Sequence, residues 1–384
     1  MKLSINKKLF LQAWNLAERS TSGSSSMNIL SSVLVKASPE SVLLQATYIR
    51  TSIICIAAGV TVVEPGEAVF PVKMVGDLFK KAPSEDFTVE VEEGKAVLKA
   101  GRGKYSFSTY PVREFPKLPS SENGEKYCKV RLGNLAQVIE EGTIAASAGD
   151  EFPLYLSSAN FLVANGLLKA VSTDAKRLAL AGVPVLEGSD SEPYLLPMKG
   201  VKEIQRILSS MPPETEVEIL FDDAQFYFRM GAVEFTVRRV ESHFPTFEKI
   251  LPKDYATTVM ADRAALISAL DRVEVIVRDF NKMVVMEIEP GDSFTMRGRA
   301  PDFGVAHEEL SADITGQKLR IAVNTRYFLD ALKVIREPDV KLSFNGPAGH
   351  MSIRRTEGDN FLCLIAPMNL APEELGRDTA ADGI

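Results

Sequence analysis

Six basic residues stand in three pairs along the chain, and the members of each pair are seven residues apart. The pairs are Lys73 with Lys80, Lys199 with Arg206, and Arg326 with Lys333. Seven residues make about two turns of an α-helix, so both members of a pair would project from one helix face. Lysine and arginine side chains on such a face bind phosphate oxygens through charge, without reading bases. The spacing therefore predicts contacts with a polyanion, repeated three times.

The other face of each of these segments is apolar, which is typical of a helix packed on a core. The apolar positions are Val75, Leu78, Phe79 and Ala82, then Val201, Ile204 and Leu208, then Phe328, Ala331, Leu332 and Ile335. Each segment carries a net charge of +2, so the rest of a chain of net charge −7 sums to −13. One basic helix is usually only a solvated surface, but three matched ones on an acidic body favour a shared anionic ligand. Aromatic residues are not interleaved with the bases, so duplex is favoured over single strands.

The repeat extends beyond these helices. A helical pattern opens each copy, at 6–19, 132–147 and 262–277. Between the helices lie strand-like runs, at 32–36 with 41–47, at 161–163 with 167–173, and at 283–288 with 293–297. Alternating polar and apolar residues bounded by turn residues predict antiparallel hairpins.

The repeated unit of about 125 residues predicts an α+β fold in three tandem domains, because solenoid repeats are only ~20–50 residues long. The expected domains span 1–125, 126–254 and 255–370. Residues 371–384 have no periodicity and are predicted to be a disordered tail.

Composition bounds the class of protein. A length of 384 residues predicts about three domains. The N-terminus lacks a secretory pattern, and no apolar run reaches the ~18 residues of a membrane span. The three cysteines are far apart, so we expect a cytoplasmic, reduced protein without a membrane partner. A pI near 5.3 excludes a protein that coats nucleic acid with its whole surface.

Enzyme constellations are scarce. The histidines, His243, His307 and His350, have no cysteine or carboxylate at metal-ligand spacing. The sequence around Gly101 and Gly103 lacks the lysine and the strand-to-helix context of a phosphate loop. We expect no catalytic residue, metal or cofactor. An enzyme built on a duplicated scaffold is the least supported alternative.

Several stretches, spread over residues 1 to 370, resemble the bacterial DNA polymerase III β subunit, the β sliding clamp, in a somewhat divergent form. They start at Pro71, Lys104, Ser172, Pro197, Phe244 and Ala366. The resemblance implies three domains of the clamp fold and a head-to-tail homodimeric ring, with twelve helices lining a hole around duplex DNA. It also implies a non-catalytic processivity factor that tethers the replicative polymerase and docks the clamp loader and repair proteins through short hydrophobic peptide motifs.

The resemblance also implies site residues. DNA would be bound by Lys73, Lys80, Lys199, Lys202, Arg206, Arg326 and Lys333. Partner peptides would enter a pocket formed by Leu156, Thr173, Arg177, Leu178, Pro245, Lys249, Ile250, Leu364, Ile365, Pro367, Met368 and Leu370. The ring would close between exposed apolar residues of an edge strand, Tyr105 and Phe107, and a helix of the third domain, at Val275 and Ile276.

The chain departs from the family pattern at several positions. The substituted residues are Ser24, Asn28, Tyr48, Arg50 and Asp150, and in the pocket Ala175, Lys176 and Asn369. The chain also runs 14 residues past Leu370, far enough to cover part of the pocket. We expect the fold to survive these changes. The alternative function is that of a clamp paralogue with altered or lost peptide binding.

Overall fold

The computed structural model describes residues 1–21, 28–48, 50–149, 151–291 and 293–370. Within these ranges there are six α-helices, two in each domain. They are α1 (Lys7–Arg19), α2 (Val72–Lys81), α3 (Leu132–Gly142), α4 (Met198–Leu208), α5 (Arg263–Val277) and α6 (Thr325–Val334). Asn6, Asp262 and Asn324 cap α1, α5 and α6, because their side chains accept hydrogen bonds from the first free backbone N–H groups.

The helix predicted over 132–147 is shorter than expected. It ends at Gly142, where an added Cβ would lie 2.6 Å from the Cβ of Ala170. The close approach of helix and sheet at this glycine leaves no room for a side chain, and the chain turns away from the sheet after it.

The strands belong to hairpins in each domain, all antiparallel. In the first domain they are β1 (Lys2–Asn6), β2 (Ser32–Ala37), β3 (Val42–Tyr48), β4 (Thr51–Ile56), β5 (Val60–Glu64), β6 (Gly66–Pro71), β7 (Asp86–Glu92), β8 (Lys95–Ala100) and β9 (Gly103–Ser108). In the second they are β10 (Glu125–Arg131), β11 (Ser158–Ala164), β12 (Leu167–Thr173), β13 (Arg177–Pro184), β14 (Glu187–Gly188), β15 (Tyr194–Pro197), β16 (Glu216–Phe221), β17 (Gln225–Met230) and β18 (Val233–Arg238). In the third they are β19 (Thr257–Asp262), β20 (Met283–Glu289), β21 (Ser293–Ala300), β22 (Gly304–Leu310), β23 (Ala312–Gly316), β24 (Leu319–Asn324), β25 (Asp339–Phe344), β26 (Met351–Arg355) and β27 (Phe361–Ile365).

Two of the four sheets cross a domain boundary. One has the order β14-β10-β16-β17-β18-β4-β3-β2-β6, and the other β15-β11-β12-β13-β27-β26-β25-β19-β23. Each of these nine-stranded sheets thus joins five strands of one domain to four strands of the preceding domain. The remaining sheets, at the two ends of the chain, are the five-stranded β5-β1-β7-β8-β9 and the four-stranded β22-β21-β20-β24.

The helices form one continuous layer against these sheets, in the order α2-α1-α4-α3-α6-α5. Helices of one domain pack as pairs, and α3 also contacts α6 across the boundary between the second and third domains. In the first nine-stranded sheet α1 packs on β4 and α4 packs on β18, and because β4 and β18 are paired, α1 and α4 are neighbours. Ion pairs bridge three of the contacts, Lys80 with Glu18, Arg336 with Glu140, and Lys333 with Asp271.

The core fills the space between the helices and the sheets and runs through all three domains. In the first domain it is built on Trp14, which is fully buried with its ring 4.8 Å from that of Phe79. The free cysteines are buried as well, and burial raises the pKa of each thiol to about 12. The described part of the chain contains no helix with the length and apolarity to cross a bilayer.

Candidate DNA-binding face and partner pocket

The paired bases lie where their spacing predicts, on the helix faces that point away from the core. The predicted apolar positions of α2, α4 and α6 are buried, apart from the half-buried Leu78. The side chains of Lys73, Lys199, Lys202 and Arg326 are exposed on the opposite face. Because the six helices form one layer, these bases share a single face of the molecule.

The second base of each pair forms an ion pair. Lys80 Nζ lies 2.6 Å from Glu18 on α1, Arg206 lies 2.5 Å from Glu203 on its own helix, and Lys333 lies 3.7 Å from Asp271 on α5. Their side chains remain 39%, 64% and 54% exposed, so the ion pairs hold the bases along the helix layer without removing them from solvent. Surface ion pairs of this kind are weak, and phosphates can replace the carboxylates.

Arg177 joins the second domain to the third. Its Nε donates to Asp174 at 3.0 Å and a terminal nitrogen donates to Asp330 of α6 at 2.7 Å. The guanidinium also stacks over the ring of Tyr327, 4.2 Å from the ring centroid. Since its side chain is only 10% exposed, Arg177 fixes the angle between the two domains rather than offering a free charge to a ligand.

A buried ion cluster secures the same boundary. Glu141 of α3 is 1% exposed and accepts a hydrogen bond from Arg355 of β26, and Glu337 lies 3.3 Å from the Nε of Arg355. Burial raises the pKa of Glu141, and Arg355 opposes the rise. Breaking such a buried pair leaves an unpaired charge, so this cluster makes the boundary rigid.

The predicted peptide trough falls on an apolar cluster on the outer sheet face at this boundary. Leu178 and Leu364, which would form its floor, are almost fully buried and pack with Phe244 and Phe247. Three predicted pocket residues form an exposed rim, namely Pro245, Lys249 and Ile250. Ile250 is 46% exposed, so it can contact a ligand directly.

Ile365 does not line the trough, contrary to the prediction. It is fully buried in the main core, because neighbouring residues of a strand point to opposite sheet faces and Leu364 takes the outer one. Leu156 and Thr173 are half-buried nearby, and the Thr173 hydroxyl donates to the carbonyl of Arg177.

The segment that follows β27 forms the third-domain side of the trough. The backbone N–H of Ala366 donates to the carbonyl of Lys176, and that of Met368 donates to Ala322. The side chains of Met368 and Leu370 pack on Met283, Val285 and Ala322, and Pro367 is half-buried between these contacts.

The departures from the family pattern fall mainly on exposed positions. Ala175 has a φ of +66°, a conformation that favours glycine, and its neighbour Lys176 is exposed at the rim of the trough. Asn369 is exposed and Tyr48 is 41% exposed. Ser24, Asp150 and the predicted tail at 371–384 lie outside the described residues.

The residues predicted to form the dimer contact are only partly exposed. Tyr105 on β9 is 38% exposed and Val275 on α5 is 62% exposed, and Ile276 is half-buried. Phe107 was predicted to be exposed, and this prediction is wrong. It is 8% exposed and packs in the core with its ring 6.1 Å from that of Phe70.

The sequence reasoning missed two exposed apolar residues at the other open edge. Phe303 and Val305, at the start of β22, are 68% and 59% exposed. Apolar residues beside an edge strand are a signal of a covering partner, and this signal is present in the sequence.

Comparisons with known proteins agree with this architecture. Family models of the DNA polymerase III beta subunit match residues 1–119 with the N-terminal domain, 129–246 with the central domain and 248–369 with the C-terminal domain. The chain is 27% identical to a beta sliding clamp of Pseudomonas putida over 372 residues, which cover 96% of this chain and 100% of the relative. It is 25% identical to a beta sliding clamp of Staphylococcus aureus, over 96% of this chain and 99% of that one.

Solved structures show the same similarity. A putative DNA polymerase III beta subunit from Eubacterium rectale superimposes with a TM-score of 0.90 at 25% identity, over 96% of this chain and 100% of that chain. A sliding clamp from Pseudomonas aeruginosa bound to griselimycin gives the same TM-score, identity and coverage.

Proposed function

The chain belongs to the DNA polymerase III beta-subunit family and is a DNA sliding clamp, and we propose that two copies close head to tail into a ring around duplex DNA. The observation that carries the proposal is the strand count of the sheets. Both internal boundaries are nine-stranded sheets made of five strands and four strands, and the chain ends with one open set of each kind. Pairing β9 of one copy with β22 of another would complete two further sheets of the same design.

The internal boundaries also predict the register of this pairing. At their centres Phe235 lies opposite Ile53, and Cys363 lies opposite Ala179. The paired residues can be followed from strand to strand, beginning just before each helix. In this way Tyr105 of β9 corresponds to Phe235 and Cys363, and Ala306 of β22 corresponds to Ile53 and Ala179. Both boundaries give this answer, so Tyr105 should face Ala306 of the second copy, with Lys104 opposite His307.

Closure would turn the helix layers of both copies toward one central hole, because the helices lie on one side of the sheets throughout the chain. The exposed bases of α2, α4 and α6 would then face the phosphates of an enclosed duplex. Weak, sequence-independent contacts suit a ring that slides, since the ring itself prevents escape. The protein would act without catalysis, in the cytoplasm where DNA is replicated.

The trough at Leu178, Phe244 and Ile250 would dock short hydrophobic motifs of the polymerase, the clamp loader and repair proteins. An apolar floor with a few polar rim groups is suited to anchoring a peptide. Its rim bases, Lys176 and Lys249, favour motifs that carry an acidic residue beside the apolar anchors. Binding of a Gln-Leu-Ser-Leu-Phe peptide, lost in Ile250→Asp, would exclude the alternative of a paralogue without partner binding.

The decisive experiment combines particle shape with the salt dependence of DNA binding. We expect negative-stain images of a six-lobed annulus at micromolar concentration. Changing Lys73, Lys199 and Arg326 together to glutamate should reduce the slope of log affinity for duplex against log salt by up to about 5, since the two copies of the ring lose six bases and each lost phosphate contact removes ~0.9.

The matched control changes one base per domain on the outer sheet face, Lys36, Lys169 and Lys341, to glutamate. It should leave the slope almost unchanged. Only monomers in the images would contradict ring closure, and equal slopes in the two variants would contradict DNA binding by the helix face.

A further inference from the structure

A cavity of about 620 Å³ lies in the second domain, outside the trough. It lies between the outer faces of β11 and β15 and the covering segment 239–248. Its apolar walls are Leu162, Leu195, Val240, Phe244 and Phe247. This volume is within the range of ~300–1,000 Å³ that is usual for pockets that bind small ligands or peptide side chains.

One buried amide points into this cavity. Asn160 lines it, is 4% exposed, and lies between Val171 and Leu195 on the neighbouring strands. Among the described residues, its side chain has no hydrogen-bond partner. Its polar atoms reach the solvent of the cavity. An apolar ligand would cover them and leave them unpaired, so a ligand that offers both a donor and an acceptor would be bound in preference.

The mouth of the cavity is close to neutral. The guanidinium of Arg239 lies over the ring of Tyr194, 5.3 Å from its centroid, and Glu241 and Glu248 stand on the same covering segment. A base and two acids do not select a strongly charged ligand. The ligand that fits is apolar and contains an amide group.

The cavity and the trough share a wall. Phe244 and Phe247 line the cavity, and they pack in the same cluster as Leu178 and Leu364, which form the trough floor. The two rings lie 6.2 Å apart at an angle of 76°. A peptide chain that crosses Pro245, which is exposed and borders both sites, could therefore occupy them together.

We propose that this cavity is a second anchor site for partner proteins, which takes an apolar side chain of the residues that flank the trough motif. Asn160 would pair with the backbone amide of that flanking segment. A peptide backbone supplies the donor and acceptor that Asn160 lacks, and its neutrality fits the mouth. This inference rests on the proposed docking of peptides in the trough.

The test measures peptide affinity by isothermal titration calorimetry with the full-length dimer. The probes are Gln-Leu-Ser-Leu-Phe and two longer peptides, with Ala-Leu-Leu added before or after it. We expect one of the longer peptides to bind about tenfold more tightly than the short one. Asn160→Leu, which keeps a similar size, and Ser242→Trp, which fills the mouth, should each remove this gain.

The short peptide provides the folding control, because its affinity should be the same in both variants. Asn123→Leu, a change at an exposed asparagine, should keep the tenfold gain. The second anchor site is contradicted if the short peptide binds and neither extension adds affinity, or if the gain survives in both variants. In either case the proposed docking of peptides in the trough is not contradicted. If the short peptide does not bind at all, peptide docking fails and the second anchor site fails with it.

Discussion

Phe235 and Tyr105 occupy the same position in two copies of one hairpin, yet one is buried and the other is not. Phe235 is 0% exposed because β4 of the first domain pairs with its strand. Tyr105 is 38% exposed because its strand, β9, is the last of its sheet. At this position the neighbouring strand covers the residue in one case and is missing in the other. Each open end of the sheets therefore resembles an internal domain boundary that lacks the strands of the neighbouring domain.

The largest expected effect is at the closed boundary. Phe235→Ala should lower the free energy of unfolding by about 3–5 kcal/mol, because it leaves a cavity in the core shared by two domains. Chemical denaturation followed by circular dichroism measures this. Tyr105→Ala is the matched control at the open end and should cost much less in the isolated chain, and equal losses would contradict the comparison.

The second effect concerns the open end. Tyr105→Asp should raise the dissociation constant of the dimer by about 10- to 100-fold, since an unpaired charge would be buried where the copies meet. Sedimentation velocity over a dilution series would show dissociation at a concentration higher by this factor than in the wild type. Val63→Asp, on the far edge strand β5, is the control, because Val63 is 56% exposed but lies away from the proposed contact. A dissociation constant unchanged in Tyr105→Asp would show that β9 is not the contact.

A third, smaller effect tests the register. The pairing of Tyr105 with Ala306 places Arg102 opposite Glu309 of the second copy. Either reversal alone, Arg102→Glu or Glu309→Arg, should weaken the dimer, and the double variant should recover about 0.2–1 kcal/mol of coupling. A double-mutant cycle on dimer dissociation constants gives this value. Zero coupling would favour a different register.

The smallest effect is a pH dependence at β22. A hydrogen bond from Arg272 lowers the pKa of Glu308. A lowered pKa in the folded state adds stability above the ordinary glutamate pKa of ~4.3 and loses it as the pH falls through the lowered value. Wild type should therefore exceed Glu308→Gln in stability by a constant small amount near neutral pH. The difference should disappear in acid, and a difference that grows in acid would contradict the assigned ion pair.

The helices and their basic faces could be predicted from the sequence because their signals are local. Lys73 and Arg326 are exposed where a 3.6-residue period places them, and Phe79 and Phe328 are buried opposite. The pairing of β18 with β4 could not be predicted in this way, because it joins residues such as Val233 and Cys55 that are far apart in sequence.

Two site residues show where local patterns are insufficient. Phe107 and Tyr105 alternate in the same way and point to one face, but only Phe107 reaches the ring of Phe70. Ile365 follows Leu364 in a continuous apolar run, so the run alone does not tell which of them faces outward. The Asn160 cavity depends on how segment 239–248 covers the sheet, and nothing in the order of those residues indicates it.

Sheets that run unbroken from one domain into the next have a mechanical consequence. Bending a protomer at an internal boundary would require breaking a ladder of backbone hydrogen bonds and the buried charges beside it. Each protomer is therefore stiff. In the proposed ring the flexible places are the two interfaces between protomers, because no covalent chain crosses them. A protein that opens the ring to admit DNA would break one of those two interfaces and leave the structure of each protomer unchanged.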